Sequence, residues 1–174
     1  MNEHSTAPIF LVGFMGAGKT TVGKLLAERL KWDFVDLDEI IEANAGLSVS
    51  AIFEKFGEAE FRRRESDAIE GCRALTRTIV ALGGGAYASA ENRSLVRSIG
   101  KTLWLDCPLD TCLSRVGADP GRPMLGTREE MSALLEHRRT SYSLADYRVP
   151  AGEDPATVVD NIVGMLRSAN LLGS

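Results

Sequence analysis

The sequence has few of the residues that build zinc sites and disulfide frameworks. Its three cysteines, Cys72, Cys107 and Cys112, have no C-x-x-C spacing, and its two histidines, His4 and His137, lie far apart. We therefore expect no zinc site. An odd number of cysteines, behind a short polar N-terminus without an apolar export segment, favours reduced packing thiols and a cytoplasmic location.

Long apolar runs and an excess of positive charge are also missing. No apolar run reaches the ~18 residues that span a membrane. The formal net charge of −4 argues against nucleic-acid binding, because it implies no basic face. The 174 residues, 44% of them hydrophobic, are enough for one compact domain over residues 1–174, which we expect to be a monomer.

A phosphate-binding motif is the most informative feature that is present. Residues 13–20 read GFMGAGKT and fit the pattern G-x-x-x-x-G-K-[ST]. They follow an apolar run and precede a helical pattern, which separates a phosphate loop from a glycine-rich turn without a ligand. Backbone N–H groups at a helix N-terminus favour anions. We therefore expect a nucleoside triphosphate here, with Lys19 at its outer phosphates and Thr20 on Mg²⁺.

Strand and helix patterns alternate along the chain. We predict strands at residues 9–13, 33–36, 78–82, 102–106 and 147–150. We predict helices at residues 19–30, 48–76, 91–99, 109–116, 128–144 and 155–171. This alternation predicts an α/β fold, in which helices cover both faces of a parallel sheet.

Two segments are longer than an ordinary connection. Residues 37–76 are mostly helical, and in a phosphotransferase such an insert is a natural region for binding the acceptor. Residues 117–126 read GADPGRPMLG and carry Arg122 in the middle. A plain connector is the alternative, but the arginine favours a lid that closes over the reacting groups.

Aspartates stand where two of the predicted strands end. Asp36 and Asp38 would share one side while the second strand continues, and would face the ligand crevice at the carboxyl edge of the sheet. One could hold Mg²⁺ through water while the other orients an acceptor hydroxyl and takes its proton. Alternatively, one of them caps the next helix. Asp106 could be a Walker B aspartate, but we place it below Asp36, because glycines end the third strand, where that aspartate would naturally lie.

Glycines and an arginine–glutamate pair supply further candidates. Gly83, Gly84 and Gly85 follow the third strand, where they permit positive φ and close approach to a ligand, although a tight turn is the alternative. Arg62 and Glu65 are three apart and share a helix face. Glu65 could hold Arg62 while Arg62 grips an anionic substrate. The alternative is an exposed ion pair, worth about 0–1 kcal/mol.

Taken together, these residues resemble the shikimate kinase family over nearly the whole chain. The matching segments are GFMGAGKTTVGKLLA, DLDEIIEANAGLSVSAIFEKFGEAEFRRRE, LGGGA, the GRPML lid and a late arginine helix. The FR-x-x-E block and the triple glycine are the specific parts, since the phosphate loop fits many families. The resemblance implies a nucleoside monophosphate kinase-like P-loop fold with a five-stranded sheet in the order 2-3-1-4-5. It also implies transfer of the ATP γ-phosphate to the 3-hydroxyl of shikimate, in aromatic amino acid biosynthesis.

The resemblance also implies roles on the acceptor side of the site. Arg62 and Arg138 would bind the substrate carboxylate. Asp38 and the backbone of Gly84 and Gly85 would hold the ring hydroxyls. The family often has R-x-P-L-Y after the late arginine, whereas this chain has RRTSY at residues 138–142, which leaves the choice between Arg138 and its neighbour Arg139 open. Leu37 replaces the hydroxyl residue of the family's D-[ST]-D, a change that should be tolerated.

On the donor side, the resemblance implies an ATP site with Mg²⁺. The residues at the phosphates would be Gly16, Ala17, Gly18, Lys19, Thr20 and Thr21. Arg115 and Pro155 would flank the adenine, and Arg122 would close over the transferring phosphate. Thr20 would hold Mg²⁺ directly and Asp36 would hold it through water, while Asp38, Lys19 and Arg122 would be the catalytic residues.

Two other functions stay open on the sequence. Another small-molecule kinase, such as a gluconate kinase, shares the loop and the size, and its substrate also carries a carboxylate and hydroxyls. A nucleotide-dependent switch is the rival from a different class of protein. The chain has no N-K-x-D, the guanine-reading motif of GTPases, and the lid arginine and the acceptor insert would be idle in a switch.

Overall fold

A computed structural model describes residues 6–117 and 126–172, so the predicted lid residue Arg122 lies outside the described residues. The strands are β1 (Ile9–Val12), β2 (Asp33–Asp36), β3 (Thr78–Ala81), β4 (Lys101–Asp106) and β5 (Tyr147–Pro150). They form one parallel five-stranded sheet in the order β2-β3-β1-β4-β5. The predicted α/β class and the strand order 2-3-1-4-5 are therefore confirmed.

Eight helices accompany the sheet in the described part of the chain. They are α1 (Lys19–Leu30), α2 (Leu37–Ala45), α3 (Val49–Phe56), α4 (Glu58–Gly71), α5 (Ala90–Ile99), α6 (Leu109–Gly117), α7 (Arg128–Tyr142) and α8 (Pro155–Ser168). Short 3₁₀ turns follow at Cys72–Ala74 and Ala86–Ala88. Within the described ranges, none of the helices has the length and apolar character needed to cross a membrane.

The centre of the sheet is buried on both faces. Every residue of β1 and β3 is buried, and Phe10 and Leu11 have no exposed surface. Continuous apolar strands of this kind form where helices cover both faces of a parallel sheet. The sheet therefore holds the carboxyl ends of β1, β2 and β3 in fixed positions at one edge, and the candidate site is built at that edge.

The insert after β2 differs from the prediction. The sequence predicts one helix over residues 48–76, but the structure has α3, α4 and a 3₁₀ turn there, preceded by α2. Gly57 ends α3 with φ 84° and ψ 172°, a conformation that a helix cannot continue through. Ser48 caps α3, since its hydroxyl accepts a hydrogen bond from Ala51 N at 3.1 Å. The break lets α3 and α4 pack against each other, and it places Arg62 one turn inside α4.

Smaller differences lie at the ends of elements. β1 and β3 each end one residue before the predicted limit, and β4 begins one residue earlier than predicted. The last two helices, α7 and α8, end at Tyr142 and Ser168, short of the predicted limits. These shifts are within the usual uncertainty of element boundaries.

Candidate active site

The phosphate loop joins β1 to α1 and has no room for a side chain at Gly13 or Gly16. Gly13, Gly16 and Gly18 have φ values of 154°, 76° and 95°, which favour glycine. A Cβ on Gly16 would lie 2.4 Å from the carbonyl oxygen of Cys112 on α6. A Cβ on Gly13 would lie 2.9 Å from the Leu105 carbonyl oxygen on β4. The loop backbone therefore rests directly on β4 and α6, as a phosphate cradle requires.

Lys19 and Thr20 stand where α1 begins. Lys19 Nζ donates hydrogen bonds to the carbonyl oxygens of Gly13 at 2.7 Å and Phe14 at 3.0 Å. The ammonium group is thus folded across the loop. Thr20 Oγ1 donates to Asp36 Oδ2 at 3.0 Å, across from α1 to the end of β2. The structure thus places the Lys19 ammonium, the Thr20 hydroxyl and the Asp36 carboxylate beside the phosphate loop.

Asp36 and Asp38 are arranged differently from the prediction. The strand does not continue beyond Asp36, so the expected alternation is wrong, and Asp38 lies in the first turn of α2. Asp36 Oδ1 accepts a hydrogen bond from Asp38 N at 3.0 Å and caps α2. The capping alternative is therefore correct for Asp36, whose second oxygen still faces Thr20. The chain turns into a helix because the cap satisfies an N-terminal amide.

The oxygens of Thr20 and Asp36 suit Mg²⁺. This ion prefers oxygen ligands and uses one or two protein groups together with waters and substrate phosphates. In the described ranges, no group of three or more His, Cys, Asp or Glu residues could hold a metal ion. Asp106, the alternative to Asp36 as the Walker B aspartate, instead accepts a hydrogen bond from Arg148 Nε at 2.9 Å. Its carboxylate also lies 3.8 Å from Arg139 Nη2.

A small pocket lies beside the loop, between α6 and α8. It measures about 70 Å³ and is lined by Gly18, Thr21, Val22, Arg115, Ala151, Glu153, Pro155 and Val158. Arg115 Nη1 donates to the Gly16 carbonyl oxygen at 3.2 Å, and its Nη2 donates to the Glu153 carbonyl oxygen at 3.4 Å. The structure therefore brings Arg115 and Pro155 together next to the phosphate loop, where the resemblance expects an adenine.

The ion pair between Arg62 and Glu65 is buried at its acidic end. Arg62 Nη1 donates to Glu65 Oε1 at 2.8 Å, and the Glu65 side chain is 1% exposed against 34% for Arg62. The alternative of an exposed ion pair is therefore wrong. Burial raises the pKa of Glu65 above its usual range, and the hydrogen bond and charge of Arg62 oppose that rise. The pair holds the guanidinium at a fixed place while part of it stays accessible.

The glycine run at residues 83–85 is crowded by charged side chains. A Cβ on Gly83 would lie 3.0 Å from Asp38 Oδ1, and a Cβ on Gly85 would lie 2.8 Å from Arg62 Nη2. Arg138 Nη2 would be 3.3 Å from that same Gly85 position. The run therefore brings together Asp38 from α2, Arg62 from α4 and Arg138 from α7.

The expectation that the three glycines of this run adopt positive φ is wrong. None of its three residues has positive φ, because the chain enters a 3₁₀ turn in which Ala86 N donates to the Gly83 carbonyl oxygen at 3.0 Å. Close approach of side chains, and not backbone conformation, requires glycine here. Contact of Gly84 and Gly85 with a ligand stays a prediction.

The two adjacent arginines of α7 point to different places. Arg138 Nη1 would lie 3.4 Å from a Cβ on Gly84, and its guanidinium carbon is 5.8 Å from the centre of the Phe14 ring. Arg139 lies 3.8 Å from Asp106 and 3.3 Å from Glu136. Arg138 therefore faces the glycine run, and Arg139 faces the end of β4.

Asn92, on α5, is a site neighbour that sequence reasoning missed. It is 2% exposed, and its Nδ2 donates to the Ala86 carbonyl oxygen at 3.2 Å and to Glu65 Oε1 at 3.5 Å. Its Oδ1 accepts a hydrogen bond from Ser66 Oγ at 2.7 Å. The side chain thus ties the helix that carries Arg62 to the turn after the glycine run. A single asparagine in a helix belongs to no motif, so the sequence carries no signal for it.

Comparison with known proteins supplies a family. A model of the shikimate kinase family matches residues 15–167. The shikimate kinase of Persephonella marina is 42% identical to this chain over 161 residues, which cover 91% of this chain and 98% of the relative. The shikimate kinase of Geobacter sulfurreducens is also 42% identical, over 163 residues that cover 91% of this chain and 90% of the relative. The family model spans residues 15–20 of the phosphate loop, the insert and α7.

Solved structures agree with that result. Shikimate kinase from Acinetobacter baumannii, in complex with shikimate, has a TM-score of 0.89 and 35% identity and covers 97% of each chain. Shikimate kinase from Aquifex aeolicus has a TM-score of 0.84 and 36% identity, covering 95% of this chain and 99% of its own. A gluconokinase from Sinorhizobium meliloti shares the fold alone, at a TM-score of 0.65 and 17% identity over 97% of this chain and 95% of its own. The resemblance found in the sequence is therefore confirmed, and the chain belongs to the shikimate kinase family of phosphotransferases.

Proposed function

We propose that this chain transfers the γ-phosphate of ATP to the 3-hydroxyl of shikimate and forms shikimate 3-phosphate, a step in aromatic amino acid biosynthesis. One observation carries the proposal: Asp38, Arg62 and Arg138 converge on a glycine run that adjoins the phosphate loop. A Cβ on Gly84 would lie 3.5 Å from Met15 N and 3.7 Å from the Gly13 carbonyl oxygen, both in that loop. Donor and acceptor would therefore meet without a large movement of the core.

The donor side of this proposal uses the loop, α6 and α8. The amides of residues 16–21 would hold the phosphates, and Lys19 would exchange its bonds to loop carbonyls for the outer phosphates. Arg115 and Pro155 would lie on either side of the adenine. When bound, Mg²⁺ would neutralise charge on the phosphate oxygens, with Thr20 as a direct ligand and Asp36 as a ligand through water.

On the acceptor side, two arginines would bind the shikimate carboxylate. Guanidinium groups suit this task, because their planar fork of donors matches a carboxylate in two parallel hydrogen bonds. Glu65 would orient Arg62 from its buried position. Asp38 and the backbone of Gly84 and Gly85 would hold the ring hydroxyls.

For the chemical step we propose in-line transfer, in which the protein mainly positions groups and stabilises charge. Asp38 would orient the 3-hydroxyl and accept its proton late, as phosphorus–oxygen bond formation proceeds. Lys19 would neutralise charge that grows on the bridging and γ-phosphate oxygens. Arg122, which lies outside the described residues, would close over the transferring phosphate as part of a lid at about residues 117–126 and exclude water.

The remaining predictions form part of the same proposal. Residues 1–174 would be one domain, with the acceptor-binding insert at about residues 37–76. All three cysteines are free and buried in the structure, which supports a reducing, cytoplasmic compartment. Among the described residues, the large hydrophobic side chains with most exposure are Leu25, Phe53, Phe56 and Leu144, a small number that supports a monomer.

An ATP-coupled assay across a panel of hydroxy acids tests the function. With shikimate, we expect a kcat/KM about 10³-fold or more above that with gluconate, because a site that hydrogen-bonds several substrate groups rejects poorly matched analogues strongly. The variant Lys19→Ala, purified in the same way, controls for contaminating kinases. Equal turnover of gluconate, or ATP hydrolysis that needs no acceptor, would contradict the proposal.

A further inference from the structure

Tyr142, the last residue of α7, lies against the acceptor side of the site. Its side chain is 1% exposed, and its ring centre is 6.0 Å from that of Trp104 on β4. The hydroxyl donates a hydrogen bond of 2.6 Å to the Gly84 carbonyl oxygen. Arg138 lies one helical turn earlier on α7, and its Nη1 would be 3.4 Å from a Cβ on Gly84. The buried hydroxyl therefore ties the Gly84 carbonyl to the end of the helix that carries Arg138.

The chemistry of the hydroxyl suits such a connection. A phenol has a single O–H donor, and Tyr142 uses it on the Gly84 carbonyl oxygen. Burial raises the pKa of Tyr142 to about 12, so the group keeps its proton at neutral pH. Packing against Trp104 limits movement of the ring. The connection is thus short and fixed, and it persists at neutral pH.

We propose that Tyr142 is a positioning residue for the acceptor, which sets the spacing between the Arg138 guanidinium and the backbone of the glycine run. This inference rests on the proposed function, in which those two groups hold the carboxylate and the ring hydroxyls of one substrate. A rigid acid can make both contacts only if their separation matches its own dimensions. Because its side chain is buried, Tyr142 would touch neither the substrate nor the phosphates. It would act on acceptor binding through Gly84 and Arg138.

The substitution Tyr142→Phe removes the hydroxyl and keeps the ring that packs on Trp104. We expect the KM for shikimate to rise about fivefold to tenfold, the effect of one lost hydrogen bond beside a charged group. The KM for ATP should change by less than about twofold, and kcat by less than about threefold, because the phosphate loop keeps its own contacts.

Tyr87→Phe is a matched control within the same region. Tyr87 is also 1% exposed, and its hydroxyl donates to the Leu144 carbonyl oxygen at 3.4 Å, away from the groups proposed to bind substrate. We expect its KM for shikimate to match that of the unsubstituted protein. If both variants raise this KM equally, or if Tyr142→Phe raises the KM values for shikimate and ATP alike, the positioning role is wrong.

Hydrogen exchange in the free protein provides a readout that needs no substrate. Loss of the hydroxyl should accelerate exchange of the amides at residues 83–86, because the Gly84 peptide loses its anchor. If the unsubstituted protein failed to phosphorylate shikimate while Tyr142→Phe still accelerated this exchange, the proposed function would fail and Tyr142 would position the loop for another acceptor. Unchanged exchange together with an unchanged KM for shikimate would overturn the inference itself.

Discussion

The proposed phosphate side and the proposed acceptor side of this site are built in different ways. The phosphate side comes mostly from one continuous segment, residues 13–21, whose shape depends on glycines with positive φ. The acceptor side gathers Asp38, Arg62 and Arg138 from three helices around glycines with ordinary φ. The first depends on backbone geometry, whereas the second depends on side-chain charge and on the buried groups that orient it. Substitutions should therefore affect the two sides through different kinetic constants.

The largest effect is expected at Asp38, where the two sides meet. Asp38→Asn keeps the shape but removes the carboxylate that would accept the hydroxyl proton. We expect kcat to fall by about 10²-fold or more, on the scale of a lost general base, with little change in the KM for ATP. Steady-state kinetics check this, with Asp33→Asn, an exposed change at the start of β2, as the control. Normal turnover of Asp38→Asn would remove this residue from the mechanism.

Comparison of Arg138 with its neighbour sharpens the acceptor side. Arg138→Ala should weaken shikimate binding by about 1.5–3 kcal/mol, the size of a charge-assisted hydrogen bond. Arg139→Ala should change it by less than about twofold, because Arg139 faces Asp106 and Glu136 in a partly exposed ion pair. Titration with shikimate measures both effects. The opposite ranking would assign the carboxylate to Arg139.

On the phosphate side, a single methyl group should be enough to weaken nucleotide binding. Gly16→Ala places a Cβ 2.4 Å from the Cys112 carbonyl oxygen at φ 76°. We expect the affinity for ATP to fall by about 1–3 kcal/mol, because the loop must move away from α6. Gly46→Ala is the control, since Gly46 has φ 65° but no atom within 4 Å of the added Cβ. Calorimetric titration with ATP should find unchanged affinity in Gly46→Ala, and equal losses in both variants would show that backbone strain alone is responsible.

The smallest expected effect concerns the pH dependence of stability at Glu65. Burial is the main cause that raises the pKa of Glu65 above the ordinary 4.5, and the charge of Asp38 raises it further. Arg62 and Arg138 oppose this rise. Because the folded state binds the proton more tightly than the unfolded state, the contribution of Glu65 to stability grows as the pH falls through the raised pKa. Glu65→Gln should therefore lack one component of the decline in unfolding free energy as the pH rises from 4.5 through the raised pKa. Urea titrations at several pH values measure the unfolding free energy of both proteins. The same change of unfolding free energy with pH in both would contradict this expectation.

The phosphate side could be predicted from the sequence because its information is local. The motif at residues 13–20 fixes its own backbone, and the strand and helix beside it have strong patterns. On the acceptor side, sequence patterns indicate Asp38, Arg62 and the glycine run, whereas Arg138 enters only through the resemblance. The local geometry that these patterns predict differs in part from the structure. Asp36 ends its strand by capping α2, and the glycines at residues 83–85 make room for side chains instead of adopting positive φ.

The break at Gly57 is local, since its N–H donates to the Phe53 carbonyl oxygen and a glycine is a common signal for the end of a helix. Other features could not be read from the sequence because they depend on distant partners. The contact of Asn92 with Glu65 joins residues 27 apart, and the contact of Tyr142 with Gly84 joins residues 58 apart. Neither pair has a characteristic spacing, and each exists only because the sheet brings its helices together.

Under the proposed function, charged side chains of the insert and α7 select the acceptor by its carboxylate. The direct test compares kcat/KM for shikimate and for its uncharged methyl ester in the unsubstituted protein, in Arg62→Ala and in Arg63→Ala. Arg63 is a matched control, because it is the next residue on α4 and pairs with Glu60 and Asp67 at the surface. We predict that Arg62→Ala reduces the preference for the free acid by about tenfold or more while Arg63→Ala retains it. A preference that survives unchanged in Arg62→Ala would contradict the account.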